Sequence, residues 1–325
     1  MLKRHCLGLA ITSACLAVAA AAHAASFGTI IDPNNAAFTQ ALGINGSGTI
    51  VGQSGNAPAN GFILTPPSSF TPQNFPGATS TTVSGIAGLG ATVGSWVDGS
   101  GNNNGFYQAG GTFITLDSPG TSFNQLLGIN QGGTIAAGYS STNSTGATGQ
   151  QAFTVSIPGG LFTNINALLP SNTNSQATGV NNSGTVVGFY QTGGNFTAFT
   201  DVGGTITSLQ APGAVSTQAL GVNDLGQIVG DYLTSGGSIF GFVDIGGIFE
   251  TLDPPGATSS TADGINDLGQ IVGFYTDANG NTIGFETQIS ETPLPAALPL
   301  FATGLGAMGL FGWRRKRKNA AAVAA

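Results

Sequence analysis

Between Phe27 and Gln288 the chain is a succession of short apolar runs, each cut off by Gly, Asn, Asp or Pro. One run, Gly264-Ile265-Asn266-Asp267-Leu268-Gly269-Gln270-Ile271-Val272-Gly273-Phe274-Tyr275, has five earlier copies, opening at Gly43, Gly85, Gly128, Gly179 and Gly221. Successive starts lie 42, 43, 51, 42 and 43 residues apart, a period of the kind found in stacked or ring-closed repeats. The runs are too short and too often broken by Gly for helices, and they alternate as strands joined by hairpins do. Repeat five, the clearest, predicts four strands, at 219–222, 227–232, 239–244 and 248–252. Four strands in this length is the size of a β-propeller blade.

The ends of the repeat region argue for a closed ring. Repeat six stops after Gly284-Phe285-Glu286-Thr287, without a fourth strand, while Phe27-Gly28-Thr29-Ile30-Ile31-Asp32-Pro33 at the other end resembles that missing strand. The expected architecture is therefore an all-β, six-bladed propeller of four-stranded blades closed by the N-terminal strand, which leaves no exposed sheet edge. It spans residues 25–288. Repeat three is longer than the others, with Ser140–Gln151 and Leu168–Gln176 read as insertions at hairpin tips.

Outside the repeats the composition changes. Residues 1–24 have a basic start, an Ala-rich apolar stretch and Ala22-His23-Ala24, the pattern of a secretory signal peptide. At the other end come a linker at 289–296, an apolar run at 297–313 that is long enough to span a bilayer, and a tail at 314–325 carrying Arg314, Arg315, Lys316, Arg317 and Lys318. That basic cluster would stay on the cytoplasmic side.

Charge then narrows the chemistry. Of the seven Lys and Arg, two lie in the leader and five in the tail, so from Ala25 to Trp313 there is no Lys, Arg, His or Cys, while all 14 acidic residues lie there. A Ser-His-Asp or Cys-His arrangement lacks its base, a Cys/His zinc site has no ligands, and a Schiff-base lysine is missing. An acidic surface with no cation also repels nucleic acid. The expectation is a protein that is not an enzyme.

The aromatic positions recur from repeat to repeat. Phe62, Phe106, Phe153, Phe199, Phe242 and Phe285 fall on the third strand and read as packing between blades. Trp96, Tyr139, Tyr190, Tyr232 and Tyr275 follow the Ile-Val-Gly segment and are the candidate binding residues, since Tyr and Trp combine an apolar body with a polar tip. Asp224, Asp267, Asp117 and Asp253 sit in turns whose backbone such a side chain caps. Asp277-Ala278-Asn279-Gly280-Asn281 resembles the start of a calcium loop without its bidentate Glu; no cofactor is expected, with calcium held as an option. A hydrolase would have to act through carboxylates alone, as glycosidases do, and Glu250 and Glu286 are the nearest candidates.

Two resemblances follow from these motifs. Pro293-Leu294-Pro295-Ala296-Ala297, the apolar span and the terminal basic cluster resemble the PEP-CTERM sorting signal of Gram-negative bacteria, with Leu294 in place of that motif's Glu. The resemblance implies tail removal by an exosortase-type membrane protease and delivery of the protein to the cell surface or the extracellular polysaccharide matrix. The repeats are similar to the HAF-type extracellular repeats, which implies fold and compartment only. The functional expectation is a secreted binding or structural module, possible partners being the sorting protease and extracellular polysaccharide; a carboxylate-only glycoside hydrolase and a calcium-dependent adhesin are the alternatives.

Overall fold

A computed structural model describes residues 26–66, 68–171 and 173–289. The leader, the sorting motif, the apolar span and the basic tail lie outside them. Among the described residues no helix is long and apolar enough to cross a membrane, and the helical element there is one 3-10 turn, Asn166–Leu168.

The innermost strands of the six repeats are Thr39–Ile44, Ser80–Ile86, Phe123–Ile129, Asn174–Val180, Ala214–Val222 and Ala257–Ile265. Each pairs antiparallel with the strand that follows it. In repeat five the four strands are Ala214–Val222, Ile228–Thr234, Ile239–Ile245 and Ile248–Leu252. The first starts earlier than the apolar pattern predicts because its more polar upstream half pairs with Asp231–Thr234.

Hydrogen bonding divides the strands into five sheets. Four are self-contained four-stranded blades and the fifth holds eight strands, so the expected six separate blades are corrected to four plus one double sheet. Repeats two and three share the double sheet. The outer strand of repeat two, Thr112–Thr115, covers only Phe106–Ala109 of its neighbour. The uncovered end at Asn103 then pairs in parallel with Phe123, the first residue of repeat three's innermost strand. This one residue pair joins the two repeats into a single sheet.

At the seam Gly28–Ile30 pairs antiparallel with Thr282–Gln288 and becomes the fourth strand of the last blade. The Asp32 carboxylate ties this segment to the first blade by accepting a hydrogen bond from Ser54 Oγ at 2.6 Å. Burial raises the Asp32 pKa, but hydrogen bonds from Ser54, Asn34 and Asn35 outweigh it and hold the group below the usual carboxylate range.

Both motif glycines are required by close packing. The first forms the ring seam: a Cβ on Gly264 would lie 3.0 Å from Gly43 Cα, and one on Gly43 would lie 2.8 Å from Ser84 O. The second lies under the third-strand phenylalanine, as Gly230 does beneath Phe242, its cross-strand partner. All six of these phenylalanines are buried, four of them completely, each amid residues of its own and a neighbouring repeat.

Candidate functional site

The same irregularity recurs on every innermost strand. Pairing skips one residue just before the Gly-Ile-Asn glycine, between Ala41 and Gly43 in repeat one and between Ala262 and Gly264 in repeat six. A β-bulge of this kind re-aims the extra side chain. The bulged residues are Leu42, Ser84, Leu127, Thr178, Leu220 and Asp263, and all six line a central channel of about 420 Å³.

Beside this ring the channel wall is made of amides and hydroxyls: Gln53, Gln125, Gln176 and Gln218 with Thr82 and Ser95. They are wired to each other as well as to the space. Gln53 Nε2 donates to Gln40 Oε1 at 2.6 Å, and the Thr82 hydroxyl donates to Gln53 Oε1 at 2.6 Å. Phe189 adds one aromatic surface.

The channel mouth is formed by the motif asparagines. Each closes its own turn through Oδ1, as Asn223 does for Leu225 N and Gln227 N at 3.1 and 3.0 Å. Four of them also reach the next repeat: Asn181 Nδ2 donates to Asn223 O at 3.0 Å, Asn223 to Asn266 O at 3.0 Å, Asn266 to Asn45 O at 2.9 Å, and Asn45 to Ala87 O at 3.3 Å. The chain of bonds lapses at repeats two and three, where Ala87 replaces the asparagine and Asn130 Nδ2 turns to Thr134 Oγ1 at 3.1 Å. Gln131 bridges this stretch, its Oε1 accepting from Gly46 N at 3.1 Å and its backbone carbonyl from Gly88 N at 2.8 Å.

The turn carboxylates act one repeat away from the expected place. Asp224 accepts from Asn182 N and Nδ2 at 2.7 and 2.6 Å, and Asp267 accepts from Asp224 N at 2.8 Å. They cap the preceding repeat's turn instead of their own. Asp277, by contrast, closes its own hairpin: Oδ1 takes Asn279 N and Asn281 N at 2.8 Å each, and Oδ2 takes Asn281 Nδ2 at 2.9 Å. Asp98 is held the same way by Ser100 and Asn102. Among the described residues no group of three or more His, Cys, Asp or Glu could hold a metal.

The candidate aromatics do not fall on one face. Trp96, Tyr190, Tyr232 and Tyr275 pair with Thr81, Ser175, Thr217 and Ser260, whereas Tyr139 pairs with Gln125, one position out of that register. Adjacent strand residues face opposite sides, so Tyr139 points toward the channel side and donates its hydroxyl to Gln125 Oε1 at 3.0 Å. Its burial pushes the hydroxyl pKa up to about 12. Trp96 is stacked on Phe75 at 4.0 Å with the rings 3° from parallel, and Tyr275 is buried. Tyr190 and Tyr232 are half-buried, and the Tyr232 hydroxyl lies 2.9 Å from Thr251 Oγ1.

Glu250 and Glu286 are exposed on different sheets. The carboxylates that the fold brings together are Asp231 and Asp263, which the sequence reading did not single out. Burial pushes the Asp231 carboxyl up to about 7, and a hydrogen bond from Thr261 only partly opposes this. Asp263 is raised well above the usual range by burial first and by the Asp231 charge second. The signal was present in the repeat alignment. Asp231 occupies the place of Gln53, Ser95, Tyr139, Phe189 and Phe274, and Asp263 that of Leu42, Ser84, Leu127, Thr178 and Leu220.

No protein-family profile matches the chain, and no curated protein matches it. Among solved structures it is similar to TolB from Acinetobacter baumannii, at 12% identity and TM-score 0.49 over 74% of this chain and 64% of that one. It is also similar to the β-propeller domain of the Trilobed protease from Pyrococcus furiosus, at 8% identity and TM-score 0.48 over 80% and 97% of the two chains. A third likeness is to a variant of the Aleuria aurantia lectin in complex with α-methyl-L-fucoside, at 12% identity and TM-score 0.45 over 79% and 96%. The chain thus spans about two thirds (64%) of the length of the TolB structure. The arrangement is that of a β-propeller.

Proposed function

We propose that this protein is a secreted, non-enzymatic binding module, sorted through its C-terminal segment to the cell surface or the extracellular polysaccharide matrix, and that its central channel takes a neutral, hydroxyl-rich ligand such as a glycan segment. One observation carries the reading: the channel wall sets glutamine amides and Ser and Thr hydroxyls beside Phe189 and three leucines, with carboxylates and no cationic side chain. The amides and hydroxyls donate and accept in equal measure, which suits sugar hydroxyls. A phosphate or carboxylate ligand would instead meet an acidic wall without a counter-charge.

The composition of the leader and tail supports the compartment, since Pro293–Ala297, the apolar span and Arg314–Lys318 follow in the order that a sorting signal requires. Hydrolysis by a carboxylate pair has less support. Glu250 and Glu286 are on separate sheets, and of the buried pair only Asp263 lines the channel.

Co-sedimentation of the protein with the extracellular polysaccharide of the producing cell tests the reading. Binding should be lost when Gln125, Gln176 and Gln218 are changed to Ala and retained when the exposed Glu250 is changed to Ala. Retention of binding by the triple variant would place the ligand elsewhere.

A further inference from the structure

We propose that Asp231 and Asp263 form a binding site for one calcium-class divalent cation, set in the channel wall at the junction of repeats five and six. The geometry comes from three strand relationships. Asp231 stands directly across from Gln218, and cross-strand partners share a face. Ile228–Thr234, the strand that carries Asp231, packs against Ala257–Ile265, the innermost strand of repeat six. Asp263 follows on that strand as the bulged residue aimed into the channel.

An independent observation shows that this spot is incomplete. Asp263 Oδ2 is sealed from solvent and has no hydrogen-bond partner. A buried polar atom left unpaired costs free energy whether it is charged or neutral. Two carboxylates close together in a buried place cannot both ionise without a counter-charge. Residues 26–289 supply none, because no Lys, Arg or His occurs among them. The pair must therefore keep a proton or take its compensating charge from outside the chain.

The side chains that these strands offer as ligands are two carboxylates, the Thr261 hydroxyl and the Gln218 amide, whose ligating atoms are oxygens, with no His or Cys among them. This set suits a hard cation and offers nothing to zinc or copper. Calcium tolerates irregular coordination completed by water, and the channel, lined by both Gln218 and Asp263, supplies water and a route of entry. Asp231 and Asp263 each depart from their repeat position, and the two departures meet at this one junction.

The experiment is thermal unfolding of the protein at pH 8 with chelator or with millimolar calcium, together with equilibrium dialysis. A ligand that binds only the folded state raises the midpoint, here by roughly 5–10 °C at calcium far above its dissociation constant. Dialysis should find one ion per chain. Asp231→Asn and Asp263→Asn should abolish the shift, whereas Asp277→Asn, in the hairpin that resembles a calcium loop, should keep it. No calcium in dialysis, no shift in the unaltered protein, or a shift that survives both pair substitutions would overturn the site. Dialysis of the unaltered protein decides the matter even if a variant does not fold.

Discussion

Asn266 Nδ2 donates to Asn45 O at 2.9 Å across 221 residues of chain, joining the last repeat to the first at the channel mouth. The same side chain caps its own turn through Leu268 N and Gln270 N at 3.1 and 3.0 Å. Asn266→Ala therefore leaves two turn amides without partners and takes from Asn45 O one of its two donors, the other being Gly48 N. It should cost about 2–4 kcal/mol in denaturant unfolding. Asn130→Ala removes a side chain that stays within its own turn and should cost clearly less. Equal losses would show that the inter-repeat bond contributes nothing.

Gly230→Ala would place a Cβ 1.9 Å from Gln218 O and 2.9 Å from Phe242 Cε1. Neither a ladder carbonyl nor a completely buried ring can retreat that far. The substitution should cost roughly 3 kcal/mol or more, in line with overpacking of a core, and lower the yield of folded protein. Gly99, whose Cβ would meet nothing within 4 Å, should accept Ala with little change. A stable Gly230→Ala variant would mean that the glycine is not there for packing.

Much of this fold was legible because repetition made each position visible six times. The six third-strand phenylalanines and the completion of the last repeat by Gly28–Ile30 both follow from aligning the copies. The double sheet was not legible. It depends on a single pairing, Asn103 with Phe123, and nothing in either residue announces it. The channel was hidden because a bulge breaks the alternation that assigns strand residues to faces, and it turns Leu42 and Leu127 into the channel. Tyr139 was grouped with Trp96 and Tyr232 by spacing from the glycine, and a one-residue slip turned it to the opposite face. Asp231 and Asp263 could have been found as departures from their repeat positions, but their proximity is a property of the fold.

Removal of residues 26–35 should destabilise the whole ring and not only the last blade. It strips the fourth strand from that blade, removes buried Ile30, and deletes the Asp32–Ser54 tie to the first blade. The exposed edge of Thr282–Gln288 would then be open to pairing with another chain. The expected outcome is a single cooperative transition lowered by roughly 10 °C or more, with concentration-dependent association. An unchanged midpoint would show that the seam is not closed through this strand.

With chelator present, stability should fall as pH rises from about 4 toward 7. The Asp231 carboxyl titrates near 7 in the folded chain and near 3.8 when exposed, so between these values the folded state binds more protons than the unfolded state. The slope of unfolding free energy against pH follows the protons bound by the unfolded state minus those bound by the folded state, and here it is negative. The contribution is complete below the unfolded value and is lost as pH passes the folded one. Asp32 works in the opposite direction, since its lowered pKa adds stability that is lost only as pH falls below the ordinary carboxylate range. The two effects together should place the optimum just below pH 4. Asp231→Asn, which keeps the shape and cannot ionise, should make the descent toward neutrality shallower, the raised Asp263 carboxyl supplying the remainder. A descent of the same slope in that variant would assign it to another group.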